Sequence, residues 1–280
     1  MFHDHFEDAH KMEVFRQKPI FALARAGYEA LFHLADGDNQ YVKGRVAEFR
    51  AKTKLENPSE GEGMIIGVHV RHGDRHPMEF QYSKSYIPLD RYSDKAREIL
   101  TTTYNSSGPD GGENMMAEMH SKIVVASDDP DVYESIEFSH SPRAQDSIRL
   151  ASNRGLEQKV AAPTGNMFKR FVDESVGWEG GFFAPMFWSL GRSSASPAAV
   201  VETPNEHMPP STEALRLRDF VGRAYLLDLA VLAGASDAIV CTVSATGCRL
   251  LAVMMGWQRA IDDGKWVNID GDFEWRGVSW

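Results

Sequence analysis

Apolar positions Phe21, Leu23, Ala24, Tyr28, Leu31, Phe32 and Leu34 recur at helical spacing from Pro19 to the stop signal Asp36-Gly37. A second helix is expected from Asn39 to about Lys54. After the turn cluster Asn57-Pro58-Ser59-Glu60-Gly61, the run Met64-Ile65-Ile66-Gly67-Val68-His69-Val70 is short, apolar and β-branched, as a buried parallel strand requires. Tyr92 to Thr103 reads as a helix, Asn105 to Asn114 as a loop, and Lys122-Ile123-Val124-Val125-Ala126-Ser127 as a second buried strand. From Ser139 to Ser211 the periodicity weakens around an aromatic knot at Trp178, Phe182, Phe183, Phe187 and Trp188, too long a stretch for an ordinary connection and expected to be an insertion. Periodicity returns with a helix from Thr212 to about Ala233, a strand Ala238-Ile239-Val240-Cys241-Thr242 and a helix from Ser244 to about Met255. Alternation of strand and helix predicts an α/β fold with a parallel sheet.

Composition narrows the partners. The chain of 280 residues has a net charge of −10, which argues against general electrostatic binding to nucleic acid or an anionic membrane surface. No run of apolar residues is long enough for a membrane span, and the first residues are charged rather than signal-like. The two cysteines, Cys241 and Cys248, form either a local bridge or two buried thiols.

Ligands of open α/β sheets bind beyond the carboxyl ends of the strands, so the residues following each apolar run carry the candidate chemistry. The first end, His69-Val70-Arg71-His72-Gly73-Asp74-Arg75, offers two guanidiniums that match phosphate oxygens, or that pair with Asp74, Asp128 or Asp129 as structural salt bridges. The second end, Ser127-Asp128-Asp129-Pro130, reads equally as a helix-start signal. At the third, Ser244 and Thr246 open a helix whose free N–H groups and macrodipole favour an anion, although serine there also serves as a plain cap. Asp228 lies within the apolar stretch Tyr225-Leu226-Leu227-Asp228-Leu229-Ala230-Val231 and needs a partner, structural or ligand. His69, His72, Asp74 and His76 fall close together, but alternate strand residues face opposite ways, and no metal site is expected.

Two family resemblances attach to one segment. Arg71-His72-Gly73-Asp74-Arg75-His76-Pro77 resembles the RHGxRxP signature of histidine acid phosphatases, in which the histidine is the nucleophile. The downstream general acid of that chemistry is absent, because His120, His140 and His207 are followed by Ser, Ser and Met. Gly67-Val68-His69-Val70-Arg71-His72-Gly73-Asp74-Arg75 also resembles the GVHVRRTDK motif of α-1,6-fucosyltransferases and the related nodulation enzymes. Two further blocks follow in order: Val125-Ala126-Ser127-Asp128-Asp129-Pro130 is similar to that family's ATDDP. Asp228 with Ser236-Asp237-Ala238-Ile239-Val240-Cys241-Thr242-Val243-Ser244-Ala245-Thr246-Gly247-Cys248-Arg249 is similar to its LD…ADFLVCTFSSQVCR.

The fucosyltransferase resemblance implies a Rossmann-like parallel sheet with flanking helices, like the nucleotide-binding domain of a GT-B glycosyltransferase. Residues 1–55 are then an N-terminal helical segment and residues 56–280 a GDP-sugar domain carrying the insertion at 139–211. It implies that Arg71 grips the diphosphate beside His69, that Asp228 binds guanine, that Ser244 and Thr246 contact phosphate, and that Asp74, Asp128 and Asp129 belong to the nucleotide site. Glu79 falls at the position of the catalytic base, with Arg75 where the family has a lysine that relays the proton. The implied reaction is inverting transfer of fucose from GDP-fucose to a glycan or glycoprotein hydroxyl, without a metal or other cofactor. Cys241 and Cys248 match a bridged pair, implying the secretory pathway and the Golgi lumen. The third reading is a non-catalytic sugar-nucleotide or glycan-binding module.

Overall fold

The computed structural model describes residues 14–54, 62–72, 78, 80–82, 85–105, 111–148, 178–179, 182–183 and 212–276. The elements are α1 (Val14–Leu31), α2 (Asp36–Thr53), β1 (Ile65–Val70), α3 (Leu89–Asn105), α4 (Gly111–His120), β2 (Lys122–Ser127), β3 (Trp178–Glu179), β4 (Phe182–Phe183), α5 (Thr212–Ala235), β5 (Ala238–Cys241), α6 (Thr246–Met255) and β6 (Trp266–Asn268). Four strands form one all-parallel sheet in the order β2-β1-β5-β6. The short β3 and β4 form a separate antiparallel pair. Of the aromatic knot, only Trp178, Phe182 and Phe183 fall in described strands.

The sheet is apolar on both faces, which is what a parallel sheet covered by crossover helices needs. Every residue of β1 and of β5 is buried. Ile65, Val124, Ala126, Ile239 and Cys241 meet Val42 and Phe49 of α2, Leu227 and Leu232 of α5 and Leu251 of α6 on one face. Ile66, Val68, Val70, Val125 and Val240 meet Tyr92 and Ala96 of α3 on the other. The period-two split of β1 between two cores follows from the pleat.

The N-terminal helices join these cores. Phe21 of α1 packs with Ala252 and Val253 of α6, Ala260 and Trp275. Arg50 of α2 donates to both carboxylate oxygens of Asp237 at 2.8 and 3.1 Å, and Asp237 also accepts the Ile65 N–H at 2.8 Å, which fixes α2 to the starts of β1 and β5. Arg25 of α1 donates to the carbonyl oxygens of Val253 and Met254 in the last turn of α6. Gly256 follows α6 with φ +86°, the left-handed stop that only glycine adopts without strain.

Local departures from the sequence pattern have physical reasons. Asp36-Gly37 opens α2 instead of only ending α1, with Asp36 and Asp38 in a first turn where the helix dipole favours acids. Asp128-Asp129-Pro130 leads into a single 3₁₀ turn, Pro130–Glu134, and Asp129 caps it by accepting the Asp131 N–H. The expected N-cap Ser244 is displaced two residues from the helix: α6 starts at Thr246, behind Ala245.

Cys241 and Cys248 form a disulfide, which settles the choice the sequence left open. It joins the end of β5 to the first turn of α6 and closes a loop with a sequence separation of 7. By loop-closure entropy, the double variant Cys241→Ala/Cys248→Ala should lose about 2 kcal/mol of stability. Urea denaturation should show this as a lower midpoint, with an m-value equal to or slightly above that of the wild type because the unfolded chain is less constrained.

Candidate functional site

In the order β2-β1-β5-β6 the chain leaves β1 toward one edge of the sheet and leaves β5 toward the other. The loops beyond β1 and β5 therefore diverge, and the crevice between them is the ligand position of such sheets. Arg71 and His72 follow β1, Ser127 to Asp129 end β2, and Thr242 to Ala245 follow β5. The topology thus brings His69, Arg71, Asp128, Asp129, Ser244 and Thr246 to one edge.

The β1 and β2 ends are laced together. Arg71 donates to Asp128, whose other oxygen accepts the His72 backbone N–H at 2.9 Å. Asp128 is buried, and its carboxyl is raised above the usual range because desolvation outweighs the Arg71 charge and the His72 N–H. Asp129 faces a different balance: burial pushes its carboxyl up, but hydrogen bonds from His72 and the Asp131 N–H prevail and hold it below its ordinary value. Its second oxygen lies 2.9 Å from His72 Nδ1. The His72 ring stacks on Tyr86 with centroids 4.2 Å apart, and the Tyr86 hydroxyl donates to the His72 carbonyl at 3.2 Å.

Beneath this rim His69 is buried with its ring edge against Tyr225, centroids 5.9 Å apart. Burial, and then the Arg71 charge, pull its imidazole down to about 3, so it is neutral. A Cβ at Gly247 would lie 2.0 Å from the Tyr225 hydroxyl and 3.0 Å from His69 Cε1, so this first turn of α6 approaches both rings only because residue 247 is glycine.

The fourth strand end supplies residues that the sequence reading passed over. Asp270, fully buried two residues beyond β6, accepts the Ser244 N–H at 3.3 Å and the Met78 N–H at 3.1 Å. Asn268 accepts the Val243 N–H at 2.9 Å and donates to the carbonyl oxygens of Gly271 and Phe273 at 3.0 and 3.1 Å. One carboxylate therefore ties the loop after β1 to the loop after β5. It follows Trp266-Val267-Asn268 by two residues, a strand too short to announce itself.

Asp228 is placed differently. On α5 it is buried and accepts the Gln145 backbone N–H at 3.2 Å, the structural partner that the sequence left as one of two options. Its carboxyl is raised well above the ordinary value, chiefly by desolvation. The segment carrying Gln145 runs along β2, with Val125 N–H to Pro142 at 3.0 Å and Ala144 N–H to Val125 at 2.7 Å. Asp74, Arg75 and Glu79 lie outside the described residues.

Among the described residues no group of three or more His, Cys, Asp and Glu side chains is arranged to hold a metal ion. No described helix is long and apolar enough to cross a membrane. Among the described residues the site combines the Arg71 guanidinium, the N-terminus of α6, and an imidazole held by a carboxylate. No protein-family model matches the chain, and no curated protein sequence matches it. What the fold defines is an α/β protein with a four-stranded parallel sheet and flanking helices.

Proposed function

We propose that this chain is the nucleotide-binding part of a GT-B-type, fucosyltransferase-like glycosyltransferase that takes GDP-fucose as donor. The observation that carries the reading is the pairing of Arg71, after β1, with the N-terminus of α6, after β5, at the two lips of the switch-point crevice. A diphosphate bound there meets a guanidinium from one side and the positive end of the α6 dipole from the other. The ordered resemblance of three sequence blocks supplies the guanine and the fucose, as no described residue distinguishes one sugar from another.

In the proposed reaction the acceptor oxygen attacks the sugar C1 from the face opposite the phosphate, inverting that carbon. The C1–O bond breaks with its electron pair, leaving GDP. Arg71 and the α6 dipole stabilise the charge that grows on the departing diphosphate. To do so Arg71 exchanges part of its contact with Asp128 for phosphate oxygens, while Asp128 keeps the His72 N–H. With that charge carried by Arg71 and the α6 dipole, the proposed step runs without a metal. Acceptors are glycans or glycoproteins in this reading, and the Cys241–Cys248 bridge suits an oxidising compartment such as the Golgi lumen.

A phosphomonoesterase reading keeps one specific observation in its favour, the fixed His72 ring inside an RHGxRxP sequence. The two separate in one assay. With EDTA present, the glycosyltransferase reading predicts GDP release from GDP-fucose and no release of inorganic phosphate from p-nitrophenyl phosphate. Phosphate release that His72→Ala abolishes would replace it with the phosphatase reading.

A further inference from the structure

His72 is held more firmly than a rim side chain needs to be. Its backbone N–H is taken by Asp128, its carbonyl accepts from Tyr86, its ring lies on the Tyr86 ring, and its Nδ1 meets Asp129 at 2.9 Å. A carboxylate can only accept, so the neutral ring must carry its hydrogen on Nδ1 and leave a lone pair on Nε2. No described residue bonds to Nε2, and the side chain keeps 15% of its exposure, enough for a hydroxyl to reach it.

The neighbouring described groups cannot do what this atom can. Arg71 is a permanent cation, Asp128 is engaged by Arg71 and the His72 N–H, and Asp129 is engaged by His72 and Asp131. The hydroxyls of Ser244 and Thr246 are poor bases. An imidazole whose far nitrogen is fixed by a carboxylate is the arrangement that takes up a proton and keeps the resulting cation stabilised.

We propose that His72, oriented by Asp129, is the base that receives the proton of the acceptor hydroxyl. The inference rests on the GDP-sugar reading of the site and replaces Glu79, the position given by resemblance, as the first proton acceptor. The O–H bond of the acceptor breaks, its electron pair forms the new bond to C1, the C1–O pair departs with GDP, and the proton resides on Nε2. The imidazolium then faces the Asp129 carboxylate until it returns the proton to water. Asp129 is a positioning residue, since it fixes the tautomer without touching substrate.

The test uses the full chain, with GDP affinity by calorimetry, kcat for GDP release from GDP-fucose with water or glycan as acceptor, and the His72 tautomer by long-range proton–nitrogen correlation NMR. His72→Gln is expected to keep GDP affinity within about threefold while kcat falls about 100-fold or more. Asp129→Asn keeps a side-chain oxygen for the Asp131 N–H but turns an amide toward Nδ1. It should therefore move the His72 hydrogen to Nε2 and lower kcat by a similar factor. Normal kcat in His72→Gln with loss in Glu79→Gln would overturn the proposal, as would a wild-type ring protonated on Nε2, a result that does not depend on any variant folding. Failure of the folded wild type to bind GDP would remove the site reading, and the proposal with it. That outcome is distinct from GDP binding and turnover that do not depend on His72.

Discussion

Gly67→Val is expected to destabilise the chain by about 3 kcal/mol or more, because it overpacks the middle of a strand that has nowhere to move. Gly67 lies in β1 between β2 and β5, and a Cβ there would stand 2.4 Å from Ser236 Oγ, 3.1 Å from Ser236 Cβ and 3.2 Å from a Leu232 methyl at the end of α5. Ser236 is fully buried, and its hydroxyl has no hydrogen-bond partner among the described residues. Removing that hydroxyl should therefore cost nothing or stabilise, since an unsatisfied buried polar atom is lost. The smaller change Gly67→Ala should cost about 2 kcal/mol alone and about 1 kcal/mol in a Ser236→Ala background, a coupling that a double-mutant cycle in urea measures. Equal costs in both backgrounds would mean that α5 does not press on β1 at this point.

The second large effect is a loss of stability with acid that His69 should impose. Its folded-state imidazole is held at about 3, chiefly by burial, against an ordinary value of about 6.5 in the unfolded chain. The unfolded state thus binds a proton that the folded state refuses. The stabilising contribution is complete above about pH 6.5 and falls by about 1.4 kcal/mol per pH unit below it. It keeps falling until the folded-state value of about 3 is reached. Asp128 and Asp228 act with the opposite sign, because their raised carboxyls take up protons in the folded state first. Asp129, held low, adds to the loss only at strongly acid pH. His69→Phe removes the titrating group along with an Nδ1 that has no partner among the described residues. Its stability should therefore fall by about 3 kcal/mol less than that of the wild type between about pH 6.5 and pH 4.5. Parallel curves would show that His69 is hydrated in the folded protein.

The contrast between readable and unreadable parts follows from how much each element buries. β1, β2 and β5 were legible because both faces are covered, so their sequences are continuous apolar runs ending in polar residues. The half-buried β6 leaves no run, and Asp270 beyond it gains its partners Met78 and Ser244 only in the folded chain. α4 starts at Gly111, inside the stretch from Asn105 to Asn114 whose Gly, Ser, Pro and Asp content reads as loop. Asp228 was legible as a charge in need of a partner, and for Arg71 the sequence offered Asp128 as one of three candidate carboxylates, the one the fold selects. Gln145 lies 83 residues from Asp228, a distance that local pattern cannot bridge. The His72–Asp129 contact was hidden for the same reason. The Asp-Asp-Pro sequence explains itself as a cap, and the second use of Asp129 appears only when β1 and β2 stand side by side.

The claim on which the functional account depends is that a nucleoside diphosphate sits between Arg71 and the start of α6. Calorimetric titration with GDP, GDP-fucose and GDP-mannose in EDTA tests it on the wild type and on Arg71→Ala. Binding of GDP that Arg71→Ala weakens by about 10- to 100-fold is the predicted result, the loss expected for one charge-assisted contact to phosphate. No heat from a folded wild type, or GDP binding that Arg71→Ala leaves unchanged, would contradict it.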